Sequence, residues 1–460
     1  LGRLFLRTLP GQYTSDSTYT WFPLMTPEAM EGFTEKLGVK GRYAFKRPGA
    51  APETHVVAEF AVVKGILGDV AAFRPPYADR VGAVVKGQGF FIAHDQSNEG
   101  LEVQKIVLDI LIGQQGSLEK VVRRFQAAAE HVLARDSYFL SGKTTKNVDV
   151  SAVLKMIPIH WVASEIAGIT LKSAENPDGE WTDEELFSML GDIYAFIFLE
   201  SNPEKLLNTE DRARKSADDI LRVIKANLRA VGGGRLSFAG FFSSMFSTPK
   251  KNSHELMEKL VAKNRPIDEL ANSILSVAVV ATVELSQAMV NMVNLYLDSP
   301  QRSEIEGVDA KNEVLFAAYA REAMRLDPPF AGVYREARAN KIVGDLSVKT
   351  NERLYLSIAK ANLDPKIFPN PGRIDTSRPE ELYLTGDGIS RSFGNIFVHS
   401  VMGAALRSVF ALPKLRRSPG VSGTLKRFRY NINGTEYYQY LDKNMDPTPW
   451  ATSLILQYDA

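Results

Sequence analysis

The sequence contains no cysteine, which excludes disulfides, zinc-thiolate sites, iron–sulfur clusters and thiol nucleophiles together. A chain without cysteine fits a reducing compartment, and a cytoplasmic location is expected. Histidine is scarce as well: His55, His94, His131, His160, His254 and His399 are scattered without ligand spacing, so no metal site is expected. Neither sign of charge is in excess. With 55 basic against 54 acidic side chains and no long run of either, there is no basic stripe for nucleic acid and no acidic tail. Long hydrophobic runs are missing too. The longest, Ile274 to Val283, is interrupted by Ser276 and reaches about half of the ~20 residues a membrane-spanning helix needs, so it reads as a buried core helix. No internal repeat is visible.

What is present is a globular composition, 45% apolar and 24% charged over 460 residues, with a small molecule as the expected partner. The first sixty or so residues are rich in proline, glycine and aromatics, and Thr54 to Ile66 begins strand-like and turns helical. A helical body is expected over about 101–330. Within it Thr182-Asp183-Glu184-Glu185 forms a capping box ahead of the helically spaced Leu186, Met189 and Leu190. Gly232-Gly233-Gly234 lacks a preceding strand and a following Lys-Ser/Thr, so it reads as an interhelical loop and not as a phosphate cradle, and Gly386-Asp387-Gly388 reads as a loop too. After Pro328 the texture changes to short strands over Val333 to Ile358, with a turn at Gly344-Asp345, then a helix from about Ser400 and a β-like tail. The expected architecture is mainly α with a small β-rich lobe over about 331–460, in a single domain spanning 1–460. A chain that begins at Leu1 leaves an upstream domain or anchor open.

One helix carries an unusual polar pattern. From about Pro266 to Asp298 the sequence is apolar, and between Leu270 and Leu297 its only charged residue is Glu284. Gln287, Asn291 and Asn294 follow at helical spacing, and Ser276 precedes by about two turns, so one polar stripe runs along the helix. A buried carboxylate must be paired or hold its proton. Two readings of Glu284 follow: a general acid or base, with Gln287 and Asn291 orienting polar groups, or a structural ion-pair partner.

Two further segments carry a family resemblance. Glu322 and Arg325 lie one turn apart on a helix, and some forty residues later comes Ala361-Asn362-Leu363-Asp364-Pro365-Lys366-Ile367-Phe368-Pro369-Asn370-Pro371-Gly372-Arg373. Together they resemble the cytochrome P450 superfamily. The resemblance implies that Glu322 and Arg325 are locked by a third arginine, Arg373, in a structural role, and that Arg335 stands where a haem-propionate contact is usual. The opening stretches Arg7-Thr8-Leu9-Pro10, Phe22-Pro23-Leu24-Met25-Thr26-Pro27 and Gly32-Phe33-Thr34-Glu35-Lys36-Leu37-Gly38 are similar to the C-terminal domain of fungal linoleate diol synthases and psi-factor-producing oxygenases. That resemblance implies an upstream peroxidase-like domain that makes a fatty-acid hydroperoxide and a C-terminal domain that isomerises it at a thiolate-ligated haem.

The sequence departs from this family where the cofactor should sit. His399-Ser400-Val401-Met402-Gly403 occupies the ligand loop and puts Val401 at the cysteine position, or Ser400 when the register is counted from Phe393. Neither is a thiolate, the ligand that favours O–O cleavage. Gly100 and Gln104 stand where the family carries a basic His-x-x-x-Arg pair, and Glu284 with Gln287 replaces its Asn-x-x-Gln pair. Haem is therefore expected to be absent, with Val401, His399, Arg335, Gly100 and Gln104 as remnants of its site. The leading expectation is a cofactor-independent cyclase, isomerase or lyase of fungal secondary metabolism, acting on an apolar lipid, terpenoid or polyketide through Glu284, Gln287 and Asn291. The alternatives are a noncatalytic C-terminal domain of a bifunctional fatty-acid dioxygenase, and a haem protein with a nonthiolate ligand such as His399.

Overall fold

The computed structural model describes residues 54–87, 89–91, 115–140, 144–199, 206–232, 250–384, 389–432, 435–442 and 447–460, together with 105, 108, 109, 112 and 113. The opening motifs, His94, Gly100, Gln104, Gly233-Gly234 and Gly386 to Gly388 lie outside the described residues.

The α-helices longer than five residues are α1 Phe60–Gly68, α2 Ala78–Val84, α3 Ser117–Asp136, α4 Val150–Trp161, α5 Asp183–Phe198, α6 Leu206–Gly232, α7 Lys250–Val261, α8 Ile267–Leu297, α9 Glu313–Leu326 and, broken at Gly394, α10 Ile389–Phe410. Local chemistry fixes several of their ends. The Thr182 hydroxyl accepts from the Glu185 amide at 3.1 Å while Glu185 accepts from the Thr182 amide at 2.8 Å, the expected capping box at the start of α5. The Asp149 carboxylate accepts from the amides of Ser151 and Ala152 and starts α4 in the same way.

Helix α8 is the axis of the molecule. Every residue from Ile274 to Val283 is buried, as the apolar run requires, and α4, α5, α6 and α10 pack around it. By length and composition α8 and the stretch Val150–Ala167 could each cross a membrane, but 94% and 72% of them is buried inside the protein. A core position accounts for their hydropathy.

The β-rich lobe differs from its expected boundary. Its main sheet runs in the order Thr54–Val57, Arg353–Leu356, Val333–Ala337, Phe73–Arg74, so two of its four strands come from before the helical body. With α1 this sheet closes a small second core around Phe60, Leu354 and Phe368. A second sheet pairs Thr145–Asp149, inside the expected helical body, with the tail strand Ile455–Asp459. Pairing between segments some 300 residues apart leaves no local periodicity to read.

Helix α10 also corrects the sequence reading. It begins at Ile389 and not near Ser400, and it is interrupted at Gly394, whose φ of 80° and ψ of 156° lie in a region that only glycine occupies readily. Ser400 and Val401 are consequently helical residues. Further along, a Cβ on Gly403 would stand 2.9 Å from the Ala317 nitrogen and the Phe316 carbonyl carbon, so α9 and α10 cross in backbone contact there.

Candidate functional site

A cavity of about 140 Å³ lies where α5, α8 and α10 meet the segment that follows α9. Eight of its described lining residues are tyrosine or phenylalanine. Tyr194 of α5 stacks on Phe330 with ring centroids 5.5 Å apart and packs on Phe198 at 4.8 Å, and Phe198 in turn meets Tyr77 edge-on. From α8 come Glu284, Leu285 and Ala288, and from α10 come Asn395, Val398 and His399. Tyr438, on the hairpin strand Thr435–Leu441, also lines it.

Glu284 is the only carboxylate among the described lining residues, and its Oε1 accepts a hydrogen bond from the Tyr194 hydroxyl at 3.1 Å. Sequence reasoning found Glu284 but not Tyr194. The pair spans 90 residues, and the capping box that locates α5 does not say which of its faces turns toward α8.

Gln287 and Asn291 are placed differently from their expected role: neither lines the cavity. Gln287 Nε2 donates to Asn291 Oδ1 at 2.8 Å and to the Tyr440 hydroxyl at 2.7 Å, while its Oε1 accepts from the Ala451 amide at 2.7 Å. Asn291 Nδ2 donates to the carbonyls of Asp327 and Pro328. Burial pushes the Tyr440 phenol up to about 12, so it stays a hydrogen-bond donor at physiological pH. Asp327 also takes a two-pronged pair from Arg427, at 2.8 Å to each oxygen, and the Arg427 guanidinium lies 5.5 Å from the Tyr438 ring. These two amides therefore hold the hairpin and the Pro328 turn, both parts of the cavity wall, against α8. They position the site and do not touch its contents.

The residues expected to mark a haem site separate in the structure. Val401 is fully buried, packed into the main core from within α10. His399 is 4% exposed and lines the cavity; its Nδ1 has no hydrogen-bond partner. Burial, assisted by the Arg321 charge, pushes its imidazole down to about 3, so it is neutral. Arg335 is buried and donates to the Tyr334 carbonyl at 2.8 Å, outside the cavity wall. Gly100 and Gln104 lie outside the described residues.

The ion network of Glu322 and Arg325 forms as expected, with one substitution of partner. Both are buried and joined at 2.8 Å and 3.0 Å. The third arginine is Arg378, not Arg373: Arg378 is buried with its Nε 3.5 Å from Glu322, whereas the Arg373 side chain is exposed and only its backbone carbonyl accepts from Arg325. Arg378 lies five residues further along the loop, where Phe368 provides a ring face for its guanidinium at 5.7 Å.

Comparison with known proteins places this geometry. The chain is 27% identical over 449 residues to a bifunctional dioxygenase–epoxy alcohol synthase of Fusarium oxysporum, covering 92% of this chain and 34% of that protein. It is 23% identical over 474 residues to linoleate 10R-lipoxygenase of Aspergillus fumigatus, covering 100% and 42%. Against linoleate diol synthase of Gaeumannomyces graminis the identity is 19% over 518 residues, covering 93% and 44%. The chain thus spans roughly a third to less than half of the length of these curated relatives. Among solved structures it is similar to P450BioI in complex with an acyl carrier protein ligated to hexadec-9Z-enoic acid, with a TM-score of 0.65 at 14% identity over 94% of this chain and 99% of that one. It is also similar to CYP109E1 from Bacillus megaterium in complex with testosterone, with a TM-score of 0.64 at 13% identity over 93% and 97%. No protein-family profile matches. The fold is that of the cytochromes P450, and the homologues are fungal linoleate diol synthases and psi-producing oxygenases, as the sequence motifs implied.

Proposed function

We propose that this chain is a haem-free protein of the cytochrome P450 fold whose cavity catalyses proton-transfer chemistry (cyclisation, isomerisation or elimination) on an apolar small molecule. The observation that carries the reading is Glu284: one carboxylate in an aromatic wall, hydrogen-bonded to Tyr194. As a base, Glu284 would take a proton from bound substrate, and the Tyr194 hydroxyl would steady the carboxylate; as an acid it would return that proton at a second carbon.

Haem is the group this fold implies, and the residues present do not fit it. The ligand position is a valine buried in a helix, and His399, the only histidine among the described lining residues, faces a space of about 140 Å³. That is small beside the ~300–1,000 Å³ of ordinary ligand pockets.

The test is to incubate the purified chain in deuterated buffer with apolar lipids, terpenoids and polyketides, and to follow product and deuterium incorporation by mass spectrometry. Glu284→Gln should lower turnover by ~10²–10⁴-fold while the fold and ligand-induced thermal shift persist. Lost stability with unchanged turnover per molecule would assign Glu284 to structure. Absence of turnover in both proteins would favour a second reading, a noncatalytic module beside a dioxygenase domain. The observation behind that reading is that the Fusarium oxysporum relative is a bifunctional dioxygenase–epoxy alcohol synthase of which this chain spans 34%.

A further inference from the structure

The cavity wall constrains the charge of its ligand. Arg325 is the only guanidinium among the described lining residues, and a guanidinium has five N–H donors. All five are used. Nε donates to Glu322 Oε1 at 3.0 Å, Nη1 to the carbonyls of Asn362 and Pro371 at 3.1 and 2.7 Å, and Nη2 to Glu322 Oε2 and the Arg373 carbonyl at 2.8 and 3.0 Å. Nothing remains for a ligand anion. The lining histidine, His399, is neutral, and no lysine is among the described lining residues. A carboxylate entering this space would lose its hydration without gaining a cation among these groups.

Two lining groups favour a different ligand. Asn362 and His399 are both more than nine-tenths buried, and Asn362 Oδ1 and His399 Nδ1 have no hydrogen-bond partner. Buried polar atoms are normally satisfied by protein or by ordered water, so these two offer hydrogen-bonding capacity to whatever occupies the cavity. Asn362 Oδ1 can only accept. A neutral imidazole offers one donor and one acceptor nitrogen. A hydroxyl, which both donates and accepts, can pair with either atom.

We propose that the cavity binds a compact, uncharged, hydroxyl-bearing apolar molecule, with its hydroxyl against Asn362 and His399, and that it turns carboxylates away. The inference rests on the cavity being a ligand site, as proposed above, and not on Glu284 performing chemistry. The aromatic wall supplies the apolar contact, and the small volume sets the size.

Two shape-matched pairs test it on the full chain at neutral pH by calorimetry and thermal shift: cyclohexanol against cyclohexanecarboxylate, and menthol against menthanecarboxylate. At least one alcohol should bind and raise the melting temperature, at least about tenfold more tightly than its carboxylate partner. Asn362→Leu should weaken alcohol binding by about five- to tenfold, the worth of one hydrogen bond. Should that variant not fold, His399→Phe gives the same reading. Equal or tighter carboxylate binding by the wild type, or no binding of either alcohol up to its solubility, overturns the proposal. Selective alcohol binding with no turnover would sink the catalytic reading and leave this one standing.

Discussion

The buried arginines make the sharpest distinction between neighbouring side chains. Glu322 is fully buried and receives Arg325, Arg378, the Tyr383 hydroxyl and the Asp375 amide. Removing one partner of a buried ion pair leaves the other charge uncompensated, at a cost of about 3–5 kcal/mol. Arg378→Ala should therefore lower the urea midpoint strongly, whereas Arg373→Ala, which leaves the backbone carbonyl in place, should stay within about 0.5 kcal/mol of wild type. Equal losses would return the third place in the network to Arg373. His399 gives a second test. The unfolded chain binds a proton at the usual imidazole pKa of about 6.5, but the native imidazole, held down to about 3, does not. The unfolded state thus holds more protons across this window, and stability falls as pH falls. Between pH 6.5 and 4.5 the loss attributable to His399 is about 2–3 kcal/mol. Subtracting the pH dependence of His399→Gln from that of wild type isolates it, and superimposable curves would show that the native imidazole titrates normally.

Among whole elements, legibility followed locality. The capping box of α5 and the limits of α8 were readable because hydrogen bonds and apolar periodicity within one segment fix them. The break at Gly394 was not readable, since a glycine in a helical pattern is compatible with either continuity or interruption. The polar stripe of α8 was read correctly as a stripe and wrongly as one site. Glu284 meets the cavity, while Gln287 and Asn291, one and two turns on, meet Tyr440 and the Pro328 turn, partners that no local pattern announces. Because Gln287 and Tyr440 share a buried bond, a double-mutant cycle of Gln287→Leu and Tyr440→Phe should show a coupling of about 0.5–3 kcal/mol. Additive effects would mean that the two side chains do not act as a unit. The close crossing of α9 and α10 at Gly403 should make Gly403→Val costly, by about 1–3 kcal/mol, as overpacking forces the helices apart.

For the molecule as a whole, the question is what holds the centre of a P450 fold when its ligand position is apolar. Here side chains do. Trp161 of α4 packs on Phe397 with centroids 5.7 Å apart, and Phe397 on Phe393 at 4.9 Å, so aromatic rings from two helices join beside Val401 within one continuous core that includes α8. Among the described residues, the small cavity around Glu284 and His399 lies at this centre. The absence of cysteine was legible at once; the packing of these rings beside Val401 was not, because it depends on helices brought together from across the chain. This packing sets the expectation for the most direct attempt at reversal, Val401→Cys. The replacement is slightly smaller and apolar, so the protein should fold with a loss of at most about 1.5 kcal/mol. The new sulfur would sit within a helix at a fully buried position, where a thiol stays protonated and inert. Expressed with excess haem, the variant should show no Soret band and well under one iron per chain, as should the wild type. A strong Soret band with stoichiometric iron in Val401→Cys would mean that α10 can unwind ahead of residue 401 and that the core opens to admit the macrocycle, and the haem-free reading would fall with it.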